Sequence, residues 1–181
     1  MVHTGAESPL VAFHRGRGRD HKRRSLDEIL AWDDDGLEGV HDWVQWVFPL
    51  REPSLHQSGA PILSDADVTT FRSDSALRAR LAFTFQRVLR FYGLAGRIVE
   101  GRPRIEPDPS RWEDRKAEWL FPEDHNHLRI TRILSSLAIL GLGDYARAFH
   151  EALERLCATE EGRRNVTPRT RAFWSGALLA E

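Results

Sequence analysis

The chain has 181 residues, 41% of them apolar and 29% charged, with a formal net charge of −1. That suffices for one compact domain with its own core, and the near-neutral balance gives no general attraction for nucleic acid or an anionic membrane. The single cysteine, Cys157, excludes an intramolecular disulfide; with no secretory h-region and no apolar run long enough to span a membrane, a cytoplasmic protein is expected.

Residues 1–24 concentrate Arg15, Arg17, Arg19, Lys22, Arg23 and Arg24, and read as a flexible basic arm ahead of a helical domain over residues 25–181. Ser25 with Glu28 three positions on has the side-chain pattern of a capping box and starts a short helix. The acidic run Asp33, Asp34, Asp35 with Gly36 breaks it. Leu37, Val40, Trp43, Val44 and Val47 then recur at helical spacing, so the pattern predicts one helix from Leu37 to Phe48, stopped by Pro49. Residues 50–61, punctuated by Pro53, Gly59 and Pro61, form a loop.

Ser64 and Asp67 open the next helix, which runs through Phe71. A longer helix follows, with the stripe Leu77, Leu81, Phe85, Val88 and Tyr92, and Gly93 is placed to end it. Periodicity is lost over residues 94–109, a short irregular or hairpin-like insertion around Gly101 in which Pro103 argues against a ladder. Ser110 caps a helix carrying Trp112 and Trp119 that Pro122 ends. Helices over residues 124–140 and from Tyr145 to Leu156 meet at a Gly141–Gly143 corner. Thr167 and Pro168 then open a last helix with Phe173, Trp174 and Leu178. Every strong pattern is helical, so the expectation is an all-α, single compact domain of about seven to eight helices.

Two stretches carry unusual polarity. In HNHLRITRIL, residues 125–134, Ile130, Ile133 and Leu134 supply the core stripe, while His125, Arg129, Arg132 and Ser136 share a flank. His127 falls on the other flank, so the two histidines diverge and no metal site is expected; Asp124 is a capping candidate. The orphan backbone N–H groups of a first turn, together with two guanidinium groups, suit an anion. The competing explanation is structural, with Arg129 and Arg132 paired to Asp33, Asp34 and Asp35. In HDWVQWVFPLREPS, residues 41–54, His41, Gln45 and Phe48 lie on one line of the expected helix beside Trp43 and Trp46, and a buried His41 and Gln45 would need partners.

Those two blocks, HDWVQWVFPLREPS and HNHLRITRILSSLAILGL, resemble the signature blocks of the opioid growth factor receptor conserved-region family. LDEILAWDDDGLEGVHDW and AFTFQRVLRFYGL fit as well, over about residues 25–178. Trp43 stands where the family often has Tyr, and Gly36–Gly39 is looser than its usual acidic-aromatic run. The resemblance implies a shared all-helical domain. His41, Trp43, Gln45, Trp46, Phe48 and Pro49, and His125, Asn126, Leu128, Arg129, Ile130, Arg132 and Ile133, match its signature positions. Animal members carry long polar extensions and are described as binding the enkephalin pentapeptide, whereas this chain looks like a stand-alone bacterial-type member.

The leading expectation is therefore a non-enzymatic ligand- or peptide-binding domain without cofactor. His41, Gln45, His125, Asn126, Arg129 and Arg132 line a polar pocket, Trp43 and Trp46 form its apolar wall, and the ligand is a small anion or peptide. One alternative is an enzyme using His41 or His125 as general base with Arg129 and Arg132 stabilising negative charge, although no nucleophile elbow, phosphate loop or dinucleotide fingerprint accompanies them. The other is a protein or nucleic-acid interaction module that uses the basic arm.

Overall fold

The computed structural model describes residues 7–54 and 59–180. The chain divides into two compact units, Met1–Leu81 and Ala82–Glu181. Among the described residues there are eleven helices and a two-stranded antiparallel sheet. The expected all-α class and the count of about seven to eight helices are thereby corrected. Four of the short helices, of four to six residues each, are too brief to show an apolar stripe in the sequence.

The first unit begins with α1 (Pro9–His14), inside the segment expected to be a basic arm. Ser8 caps it, accepting from the Val11 amide at 3.1 Å, and Pro9 fills the first turn, where no amide donor is needed. Leu10, Val11, Phe13 and His14 are all buried. The capping box of Ser25 and Glu28 starts α2 (Leu26–Leu30), and that of Ser64 and Asp67 starts α5 (Asp65–Ser73). Asp67 also joins two helix starts, because Ser8 donates to its other carboxylate oxygen and so ties the cap of α1 to the cap of α5.

The basic stretch after α1 is folded around acids. Asp20, buried, accepts from the amides of Lys22 and Arg24 at 2.9 and 2.8 Å and from the Arg24 guanidinium at 2.6 Å. Arg24 reaches on to Asp42 at 2.8 Å, where Lys22 also sits, 2.6 Å away, and Arg19 pairs with Glu28 at 2.9 Å.

The single helix expected over residues 37–48 is two. Asp33 accepts from the Gly36 amide at 2.8 Å and starts α3 (Asp34–Gly39), which ends where Val40 turns extended. After a link holding His41 and Asp42, the chain resumes as α4 (Val44–Val47). The break has a tertiary cause, since Asp42 is drawn to Arg24 and Lys22. Beyond Pro49, Leu50 bridges Ile62 and closes the base of the loop, whose residues 55–58 lie outside the described residues.

Asp74 caps the long helix α6 (Ser75–Phe91), accepting from the Ala76 and Leu77 amides at 2.8 and 3.1 Å. This helix starts in the first unit and continues through the boundary into the second. Gly93, at φ +75°, ends that run in the left-handed conformation that a side chain would resist.

The second unit continues as a hairpin of β1 (Leu94–Val99) and β2 (Arg102–Pro107), with Val99 opposite Arg102. Glu100 and Gly101 both have positive φ, 50° and 76°, as the two-residue turn that matches strand twist requires. Counting outward from the turn, Pro103 and Pro107 occupy the non-hydrogen-bonded pairs, where a missing amide costs nothing. Pro103 therefore does not prevent the ladder.

Then follow α7 (Trp112–Lys116), α8 (Asn126–Ile139), α9 (Gly143–Cys157), α10 (Glu160–Asn165) and α11 (Pro168–Ala177). The Gly141 corner, at φ +87°, turns α8 back against α9; α11 packs on α8, and β2 lies on α9, where Arg155 donates to the Ile105 carbonyl at 2.8 Å. Phe85, Tyr92, Trp119, Ile130, Leu137, Phe149 and Trp174 form the buried core of this unit. No helix among the described residues is long and apolar enough to cross a membrane.

Candidate functional site

The first turn of α8 gathers the polar groups of the second unit. Asp124, buried, accepts from the Asn126 amide at 2.9 Å, so the protein supplies its own carboxylate at this helix N-terminus. His125 lies on the surface with Nδ1 3.3 Å from the same carboxylate. Asn126 is completely buried, and its side-chain oxygen accepts from Arg129 at 3.2 Å and from the Tyr92 hydroxyl at 3.5 Å. Tyr92 is fixed in turn, because its carbonyl accepts from the Trp119 indole at 3.0 Å.

Arg129 is only 5% exposed. Its neighbour one turn on, Arg132, is half-buried, and burial lowers its proton affinity; a guanidinium remains charged even so. At the depth of Arg129 a guanidinium has lost most of its water, which makes a fixed anion or carbonyl partner worth more than at the surface. The expected flank is thus partly kept: Arg129 and Ser136 are buried, Arg132 is intermediate and His125 is outside.

His127, placed by periodicity on the other flank, is also buried. Its ring meets Trp174 edge-on at 5.6 Å, and its carbonyl accepts from the Trp174 indole at 3.1 Å. Burial lowers its pKa, against the opposing pull of Asp124 and the Trp119 backbone, and Nε2 has no hydrogen-bond partner. Tyr92, Trp119 and Trp174 complete the surroundings. Nothing in the local pattern marks them, because they arrive from distant parts of the chain.

In the first unit His41, Gln45 and Phe48 do not share one helical line, because α4 covers only Val44–Val47. His41 is exposed in the link before α4, while Trp43, Gln45 and Trp46 are buried. The Trp43 indole donates to the Leu37 carbonyl at 2.9 Å, which locks α3 to α4. Trp46 meets Phe13 edge-on at 5.4 Å, stacks with His21 at 6.3 Å and donates to the Gly59 carbonyl at 3.4 Å. Both indoles are therefore core anchors within this unit. Gln45 is 7% exposed, and its Oε1 has no hydrogen-bond partner.

The acids around these groups have defined roles. Asp42 is pushed up by burial, but hydrogen bonds from Lys22 and Arg24 outweigh that and hold its pKa below the usual carboxylate range. Asp33 caps α3. Among the described residues, no group of three or more His, Cys, Asp or Glu side chains is placed to hold a metal ion.

Comparison with known proteins gives one consistent result. Residues 23–166 match the family model described as the opioid growth factor receptor (OGFr) conserved region. Opioid growth factor receptor of Homo sapiens is 34% identical over 140 residues, 75% of this chain and 20% of that protein. The Mus musculus receptor is 38% identical over 125 residues, 66% of this chain and 19% of that protein. Opioid growth factor receptor-like protein 1 of Mus musculus is 31% identical over 136 residues, covering 71% of this chain and 28% of the relative. The chain thus spans about a fifth of the length of the receptors it matches. No solved structure matches it.

Proposed function

From the premise that this chain belongs to the opioid growth factor receptor conserved-region family, we propose that it is a ligand- or peptide-binding domain whose second unit receives an anionic group at α8. The observation that carries this reading is Arg129, a guanidinium nearly withdrawn from water, set beside a fully buried Asn126 and a half-buried Arg132. Guanidinium groups bind carboxylates and phosphates through paired, charge-assisted hydrogen bonds, and these gain strength where bulk water is held back. The ligand class is a small organic anion or a peptide presenting its terminal carboxylate. The names of the relatives point to an opioid growth factor as ligand, and the enkephalin pentapeptide is the first probe.

The test is titration calorimetry with that peptide and with its C-terminal amide. Arg132→Lys keeps the charge and removes the planar fork, so affinity for the free acid should fall about tenfold or more, with melting temperature nearly unchanged. Equal affinity for acid and amide, or no effect of Arg132→Lys, would remove α8 from the binding site.

A further inference from the structure

In the first unit, the start of α6, Asp27 of α2, the end of α1 and the residues after it flank an open groove of about 530 Å³. This is well within the size range of small-molecule sites. Its lining includes three guanidinium groups, Arg15, Arg17 and Arg80, and one carboxylate, Asp27, with Leu77 as an apolar surface. Asp27 is engaged by Arg80.

The two remaining guanidinium groups are bridged by one carboxylate from outside the lining. Glu7 accepts from Arg15 at 2.6 Å and from Arg17 at 2.6 and 2.9 Å. Arg15 has a second anchor, Asp74 at 2.5 Å, the acid that caps α6. Removing Glu7 would therefore leave Arg15 oriented by the helix cap. The arrangement is a bidentate anion clamp already closed on a carboxylate belonging to the chain itself.

A second observation comes from the same lining. His14 is completely buried, with Nε2 against the Trp46 carbonyl at 3.1 Å, and its Nδ1 has no hydrogen-bond partner; nor has Nε of Arg80. Both atoms belong to residues that line the groove, and both are closed to solvent behind its surface. Burial lowers the His14 pKa to about 4, so at neutral pH it adds polarity but no charge.

We propose that this groove is a second ligand site, separate from α8, which takes a carboxylate or phosphate on Arg15 and Arg17, and that Glu7 is its internal substitute, displaced on binding. Ligand and Glu7 compete for the same two forks, so affinity is set by how firmly Glu7 holds them.

The experiment uses the whole chain, with titration calorimetry against sodium acetate and against inorganic phosphate at low ionic strength. Glu7→Gln should bind one of the two about five-fold more tightly than the wild type, the scale of an exposed ion pair. The anion that gains identifies the natural group as carboxylate or phosphate. Arg17→Ala, an exposed substitution, should remove binding, and Ala76→Trp, on the exposed start of α6, should do the same by filling the groove. If Glu7→Gln gains nothing for either anion, or if the gain survives Arg17→Ala or Ala76→Trp, the proposal is overturned. None of these substitutions touches α8, so the outcome is independent of the site proposed there.

Discussion

Replacing His14 with Gln should flatten the pH dependence of folding stability in the weakly acid range. His14 is entirely buried; desolvation, the largest cause, lowers its pKa from 6.5 to about 4, with the Arg80 charge acting in the same direction and the Trp46 hydrogen bond opposing. The unfolded chain takes up a proton on this imidazole near pH 6.5, whereas the folded chain resists until about pH 4. Stability is therefore fully present above the upper value, declines as the pH falls between the two, and levels off below the lower one. The gap amounts to about 3 kcal/mol, at roughly 1.4 kcal/mol for each tenfold in proton affinity. Gln cannot be protonated in this range but retains an N–H to offer the Trp46 carbonyl. Urea denaturation followed by tryptophan fluorescence at a series of pH values gives the two curves. Their difference isolates His14, since the carboxylates and His127 titrate alike in both proteins. Parallel curves would refute the claim that this imidazole is buried and neutral.

Phe13→Ala, on a helix within the segment expected to be a mobile arm, should cost about 3–5 kcal/mol in urea denaturation, because the ring is fully buried and meets Trp46 edge-on. Cys157 is buried, and desolvation raises its pKa to about 11, so a disulfide reagent at pH 7 should label it about a hundredfold more slowly in the native protein than in urea. Gly162→Ala would place a methyl carbon 2.1 Å from the Leu156 carbonyl oxygen and should cost about 3 kcal/mol, measured as a lower denaturation midpoint.

Much of the local architecture was legible in the sequence because it is encoded locally. The Ser25 and Ser64 capping boxes, the Gly93 stop, the Thr167–Pro168 start and the α8–α9 corner each depend on a few adjacent residues, and each stands where the pattern placed it. The all-α assignment failed for an equally specific reason. Pro103 speaks against a strand only where its amide is needed, and the register that spares it is set by the turn. The break between α3 and α4 was hidden because Leu37, Val40, Trp43 and Val44 keep helical spacing across it, while the force that bends the chain comes from Arg24 and Lys22. Likewise, counting the arginines of residues 15–24 gave no sign of the acids that engage them. At α8 the pattern marked His125, Arg129, Arg132 and Ser136, and Asn126 came from the family resemblance, but the burial of His127 depends on Trp174, which is 47 positions away.

The most direct test of the α8 site is a nuclear magnetic resonance titration that follows the side-chain Nε–H signals of Arg129 and Arg132 as the enkephalin pentapeptide is added. An anion site at α8 gives saturable shifts of both, with the same midpoint as the calorimetric curve, and loss of those shifts when the peptide carries a C-terminal amide. Saturable peptide binding that leaves both signals where they began would contradict it.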